Sequence, residues 1–300
     1  MCNNLMPQIL GAKPPLKVYY DSTYVVKSTR ETVTKSLLVA KLIQAGKAGK
    51  VVLEAPKPAS RKELSVIHGK EYLQTVFEDK KGFLEVGTWS EPLLASILAS
   101  TGGMRDAVRE ALKNGRSGSL SSGLHHARKD SGQGFCTLNG LALAAHVALK
   151  KVKTVGILDL DAHFGGGTFD ILQAHPRVRL ADVSVDSYDA WKPTHSQRHL
   201  ATLVTDPERY LDETAKALDF LEGIDFLIYN AGMDTYEKAG GLKGITRAII
   251  KERESWVVAW AKARRIPIIF ALAGGYKWGG LTLEQIAELH LETVKAVATD

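Results

Sequence analysis

The segment Thr154–Gly167, TVGILDLDAHFGGG, decides how the chain is read. Its first five residues form a short apolar run closed by polar residues, the signature of a buried strand. Asp159, Asp161 and His163 follow at alternate positions. If the chain stays extended, all three face one side. Three such groups at a strand end are costly to bury without a cation or partners. Carboxylate and imidazole donors suit zinc, or another transition ion such as iron. A solvated acidic loop would account for an isolated DxDxH equally well. Gly165, Gly166 and Gly167 either let backbone approach a site or make a flexible turn.

Outward from this segment the same arrangement recurs. Phe226–Tyr229 (FLIY) precedes Asn230-Ala231-Gly232-Met233-Asp234, and IPIIFAL precedes Ala273-Gly274-Gly275-Tyr276. Asp234 is thus a third candidate ligand at a strand end, although aspartates also cap loops. Further strands are expected at 17–21, 51–54 and 178–185. Helices are expected at 32–42, 61–66, 70–78, 92–113 (interrupted by Gly102 and Gly103), 138–150, 169–174, 207–222, 247–264 and 282–297. Strands alternating with helices imply an α/β fold: a single domain with a central, mainly parallel sheet flanked by helices. Ligands of such folds bind at the carboxyl ends of strands, where these motifs lie. Residues 1–14 read as an N-terminal arm and 15–300 as one catalytic domain.

Composition narrows the class. The 300 residues are 45% hydrophobic and 24% charged, which suits one sizeable domain. The net charge of +6 lacks a dense basic block, so nucleic acid is not the expected partner. Two cysteines do not make a disulfide framework and fit a reducing cytoplasm. The sequence has neither a leader-like start nor a span-length apolar run, so no membrane partner is expected. Oligomeric state is left open.

A further motif, Gly123-Leu124-His125-His126, offers adjacent histidines that could serve as ligands, acid–base groups or plain surface residues. Taken together, four stretches are far more specific than any one: GLHHARKDSGQGFCTLNGLALAA, VGILDLDAHFGGGTFDIL, FLIYNAGMDTY and FALAGGY. In order and spacing they resemble the histone deacetylase and acetylpolyamine amidohydrolase family of the arginase–deacetylase superfamily. KVYYD and VIHGKEYL add weaker similarity, and the resemblance covers most of the chain.

The resemblance implies a zinc-dependent hydrolase that removes an acetyl or other acyl group from an acylated amine, such as acetyl-lysine in a protein or an acetylpolyamine. It implies one catalytic zinc per chain, held by Asp161, His163 and Asp234. His125 and His126 would flank the attacking water, with Asp159 behind His125 and Tyr276 hydrogen-bonded to the substrate carbonyl. His126 would carry the proton and His125 would act mainly through its charge. It also implies a structural potassium ion at Asp159, Asp161, His163, Ser184 and the carbonyl of Val185. Phe135 would form a wall of the acyl channel, and Gly134 would offer a backbone acceptor beside it.

The chain departs from the family pattern in places. Phe164 replaces a second histidine, Asp186 replaces a histidine after Ser184, and a His-Pro segment is not evident around 27–35. Gly166 stands where an Asp or Asn usually supports the second histidine of the pair. No carboxylate is therefore expected behind His126, which should be the more easily deprotonated of the two. Two rivals share these motifs. An arginase-like ureohydrolase would need a further Asp where Gly165 stands, to hold a second metal. A silent acyl-amine binding module would not need both histidines and Tyr276. The absence of an evident partner-recruiting extension favours a small molecule or an accessible lysine as substrate.

Overall fold

The computed structural model describes residues 14–26, 31–81 and 89–299. The expected arm lies outside these apart from Pro14, as do residues 27–30 of the 27–35 segment. Eight strands form one sheet: β1 (Leu16–Tyr19), β2 (Val51–Glu54), β3 (Arg116–Ser119), β4 (Val155–Asp159), β5 (Val178–Ser184), β6 (His199–Leu203), β7 (Phe226–Asn230) and β8 (Ile268–Ala271). The spatial order is β2-β1-β3-β8-β7-β4-β5-β6, and every pairing is parallel.

Among the described residues nine α-helices accompany them: α1 (Glu31–Gln44), α2 (Arg61–Leu64), α3 (Lys70–Phe77), α4 (Glu91–Asn114), α5 (Gly140–Ala148), α6 (Gly166–Leu172), α7 (Tyr210–Phe220), α8 (Arg247–Ala263) and α9 (Leu283–Ala298). Side chains alternate across the sheet, as period-two geometry requires. Val155 and Ile157 enter a core with α3, α4, α5 and α6, whereas Leu158 enters a core with α1, α7, α8 and α9. Both faces are therefore covered, and β4 and β7 are buried throughout.

Two strands escaped the sequence. β3 reads RSGS and has no apolar pattern. Its last three residues are small, and at Gly118 a bulky partner fills the space: a Cβ there would lie 2.2 Å from the Phe270 ring. β6 pairs only with β5, at the sheet edge, and its interior is half-exposed. The expected break at Gly102 and Gly103 does not occur. α4 runs unbroken from the Ser90 cap to Gly115, and the bare glycines admit the Lys57 carbonyl and the Tyr24 hydroxyl.

The topology fixes where a site can form. After β4 the chain winds outward through β5 and β6; after β7 it winds the other way to β8. The order thus reverses between neighbouring β4 and β7, and a crevice opens at their carboxyl ends. The loops leaving both strands are held from below by Arg253 of α8, which is fully buried. Its guanidinium donates to the Leu160 carbonyl (3.3 Å), the Thr235 hydroxyl (3.1 Å) and the Tyr210 hydroxyl (3.0 Å), and pairs with buried Glu254. Tyr229 of β7 donates to the same Glu254 at 2.7 Å. Removing one member of a buried pair strands its partner's charge, at a cost of about 3–5 kcal/mol. Arg253→Leu should lose that much stability in urea unfolding, whereas a loss under about 1 kcal/mol, the scale of an exposed pair, would show the clamp to be dispensable.

Candidate metal centre and histidine pair

β4 ends at Asp159, so strand alternation does not reach Asp161 and His163. Two successive aspartate turns place them instead. The Asp161 N–H donates to Asp159 Oδ1 (3.2 Å), and the His163 N–H donates to Asp161 Oδ1 (3.0 Å). From the β7 loop, Asp234 Oδ1 accepts the Ala162 N–H at 2.9 Å. Asp161, His163 and Asp234 each bring a ligand atom to within 4.8 Å of the others. The His163 Nδ1 lies 3.1 Å from Asp161 Oδ1 and 3.3 Å from Asp234 Oδ2.

Further observations bear on whether a cation belongs there. Asp234 Oδ2 is buried and lies 3.3 Å from His163 Nδ1 without the alignment of a hydrogen bond. A Cβ on Gly274 would sit 1.8 Å from that oxygen and 2.7 Å from Asp161 Oδ2, so glycine keeps the space beside both carboxylates clear. The Gly274 N–H itself donates to Asp161 Oδ2 at 2.7 Å. Two carboxylates and one imidazole in such a cradle fit zinc.

The histidine pair lies beside this cluster, with ring centroids 4.0 Å apart and planes tilted by 46°. Both rings are buried, at 4% and 6% exposure. His125 Nδ1 donates to Asp159 Oδ2 at 2.8 Å, and Asn230 steadies the other oxygen of Asp159 at 2.8 Å. Burial opposes a charge on His125, but Asp159 and Asp161 outweigh it and raise the imidazolium to about 10. Burial and the neighbouring His125 charge push His126 down to about 4.

The expected direction for His126 therefore agrees with the structure, but its expected cause does not. His126 is not without a carboxylate: its Nδ1 lies 2.9 Å from Asp189 Oδ2. Asp189 was not singled out because VDSYDAW offers two aspartates with no pattern to choose between them. The other, Asp186, is exposed and caps the Tyr188 N–H at 2.7 Å.

Three more residues join the site unannounced by sequence. Asp182 lies in register with Asp159 on the neighbouring strand. Burial and Asp159 push its carboxyl up to about 8. It accepts the Gly165 N–H (2.8 Å), the Trp191 indole N–H (3.0 Å) and the Ser184 hydroxyl (2.8 Å). Of the positions expected for potassium, Asp159, Asp161 and His163 belong to the cluster. Ser184 turns to Asp182, and the Val185 N–H donates to the Ala162 carbonyl at 3.0 Å. Lys35, fully buried, donates to the Ala273 carbonyl beneath the site; burial lowers it to about 7, against the pull of Asp234 and Asp161.

Tyr188 is the third addition. Its ring meets His126 and His163 edge-on, at 5.2 and 5.9 Å. It shares a cavity of about 560 Å³ with His126, His163, Gly134, Phe135 and Tyr276. Phe135, Gly134 and Tyr276, all singled out in the sequence, line this cavity. Tyr276 stacks on Trp278 at the rim, with centroids 4.3 Å apart. Leu124, Phe135 and Asp189 all have positive φ (60°, 63° and 55°), a conformation that side chains other than glycine rarely adopt. Strained backbone of this kind concentrates at functional sites.

These features bring a buried carboxylate–imidazole cluster able to hold a metal ion, and two adjacent buried histidines, to an aromatic-walled cavity on a parallel α/β sheet. Residues 26–199, more than half the chain, match the histone deacetylase domain. The chain belongs to the histone deacetylase family. It is 29% identical over 236 residues to an uncharacterized protein of Picosynechococcus, covering 74% of this chain and 77% of that one. It is 27% identical over 247 residues to histone deacetylase 2 of Arabidopsis thaliana, covering 76% of this chain and 64% of that longer protein. The fold is similar to acetylpolyamine aminohydrolase from Burkholderia pseudomallei (TM-score 0.75, 17% identity, 94% of this chain and 97% of that one). It is also similar to the HD domain of HDA15 (TM-score 0.77, 18% identity, 96% and 90%).

The two histidines give an opposed titration. In metal-free protein at pH 7, nitrogen chemical shifts should report His125 as imidazolium and His126 as neutral. Because His126 is depressed below its ordinary 6.5, the unfolded chain takes that proton first. Its contribution to stability is present above pH 6.5 and falls away as pH drops toward about 4. His125 is raised, so its contribution is full below 6.5 and fades as pH climbs toward about 10. Equal titration of both rings near 6.5 would contradict this electrostatic division.

Proposed function

We propose that this chain is a zinc-dependent hydrolase that releases an acyl group from an acylated primary amine, with acetyl-lysine or an acetylpolyamine as the substrate class. The observation that carries the reading is the convergence of Asp161, His163 and Asp234 beside the paired histidines, at the floor of a cavity bordered by Phe135, Tyr188 and Tyr276. Asp161, His163 and Asp234 are the zinc ligands in this reading. Zinc bound there supplies Lewis acidity, polarising the amide carbonyl and lowering the pKa of an attacking water.

The chain's own groups supply the rest. The aromatic walls exclude water and align an extended acylated amine side chain. His126, neutral and with Nδ1 already committed, takes the proton of the attacking water on Nε2 and returns it to the leaving amine nitrogen. His125, held cationic by Asp159, stabilises the negative charge that develops on the carbonyl oxygen. The Tyr276 hydroxyl donates to the same oxygen. Acetate and a free amine result. A potassium ion near Asp159 and Ser184 is a compatible structural partner, since Asp159 and Asp182 place two buried carboxylates side by side. We assign residues 15–300 to this catalytic domain and, from the presence of only two cysteines in 300 residues, favour the cytoplasm. Among the described residues no helix is long and apolar enough to cross a membrane.

Two substitutions separate the roles. Asp161→Ala should lose zinc and turnover together, measured by elemental analysis and release of amine from an acetyl-lysine peptide or an acetylpolyamine. Full activity in that variant would misplace the metal. Tyr276→Phe should keep zinc and fold while turnover falls by about two to three powers of ten, the usual cost of one oxyanion donor. Unfolding of Tyr276→Phe would instead make the hydroxyl a structural group.

A further inference from the structure

The position that usually supplies a carboxylate to the second histidine is Gly166, yet the structure contains the carboxylate. Asp189 reaches it from the loop after β5. Its side chain is fully buried, and Oδ2 faces His126 Nδ1 at 2.9 Å. The opposite oxygen, Oδ1, is gripped by the Gln133 amide (2.9 Å) and the Arg128 guanidinium. Arg128 also donates to the Gly166 carbonyl at 3.3 Å and to Gln133 Oε1 at 3.1 Å, which ties the three segments together. The loop is pinned by the Phe164 N–H donating to the Tyr188 carbonyl at 3.1 Å, and Asp189 itself sits at φ 55°.

Gly166 is the complement of this arrangement. A Cβ there would lie 2.4 Å from Asp189 Oδ1, 2.6 Å from its Cγ and 2.5 Å from its backbone carbonyl oxygen. The volume that a side chain at 166 would need is filled by Asp189. The two positions are complementary: Asp189 occupies the space, and glycine at 166 leaves room for it.

We propose that Asp189 is the positioning residue for His126, taking over from another loop the role that position 166 does not fill, and that Arg128 and Gln133 fix which of its oxygens faces the imidazole. This rests on the deacetylase reading for its catalytic consequence, but not for the pairing itself. An ionised carboxylate only accepts hydrogen bonds, so His126 Nδ1 must carry the proton and Nε2 is left as the base. Asp189 does not line the cavity and acts only through the ring.

Asp189→Asn tests this without changing shape. Arg128 and Gln133 are donors and hold the amide oxygen, which turns the amide NH2 toward His126 Nδ1. That nitrogen must then accept, so the ring proton moves to Nε2 and the base is blocked. The parallel exchange in a serine protease triad costs about 10⁴ in kcat through the same tautomer change. For the zinc-loaded full chain the expected result is a fall in kcat of about 10² or more, with KM within a few-fold. Nitrogen NMR of the zinc-loaded protein should show the His126 tautomer switching from Nδ1–H to Nε2–H. Asp189→Ala, a smaller group, should lose the Nδ1–H preference without imposing the opposite one, and covers the case in which the Asn variant misfolds. An unchanged tautomer in a folded variant, or kcat within threefold of wild type, would overturn the proposal. A tautomer switch in a protein whose wild type hydrolyses no acylated amine would uphold the pairing and sink the deacetylase reading.

Discussion

Four aspartates meet at the carboxyl ends of β4, β5 and β7, and none is more than 4% exposed: Asp159, Asp161, Asp182 and Asp234. Burying that much negative charge in a low dielectric is strongly unfavourable unless each carboxylate is compensated. Much of the surrounding structure supplies the compensation. Backbone N–H groups of Ala162, Gly165 and Gly274 donate into the cluster. His125 is held as a cation, Lys35 is buried below, and Asp182 is driven toward its neutral form. One oxygen, on Asp234, is left without a hydrogen bond, and it lies in the cradle kept open by Gly274. A divalent cation is the natural remaining partner.

The same constraint links fold to chemistry. A parallel sheet whose order reverses between β4 and β7 directs two loops into one crevice, and each brings ligands. Arg253 ties the loops together from the far face through the Leu160 carbonyl and the Thr235 hydroxyl. Held this way, the candidate ligands are positioned by the fold itself. Preorganised charge of this kind is where enzymes obtain much of their transition-state stabilisation. The histidine pair then divides labour by environment. Two similarly buried rings separate because several carboxylates surround His125, whereas at His126 burial and the charge of its neighbour outweigh the single Asp189 carboxylate.

Much of this was legible in sequence wherever a local pattern carried it. Apolar runs ending in DLDAH, NAGMD and AGGY located three strand ends and their polar residues, because period and composition change together there. The parallel sheet followed from the alternation of elements. What stayed hidden depended on contacts distant in sequence. β3 is a central strand written in small residues, and only the Phe270 ring and its neighbours explain why. Asp182 sits inside a strand and reads as an interruption of it. Asp189 lies 63 residues from the histidine it touches. Gly166, read as a missing carboxylate, is half of a spatial exchange that no single-chain pattern reveals.

The central claim is that one zinc ion, set among these carboxylates, makes the chain an acyl-amine hydrolase. The most direct measurement is a stoichiometric titration: metal-free protein is loaded with increasing zinc, and amine release from an acetylated lysine peptide and from an acetylpolyamine is followed at each step. The account predicts activity on at least one of these that rises in proportion to zinc and levels off at one equivalent per chain. Full activity in the metal-free protein, or activity that appears only with two equivalents of manganese, would contradict it.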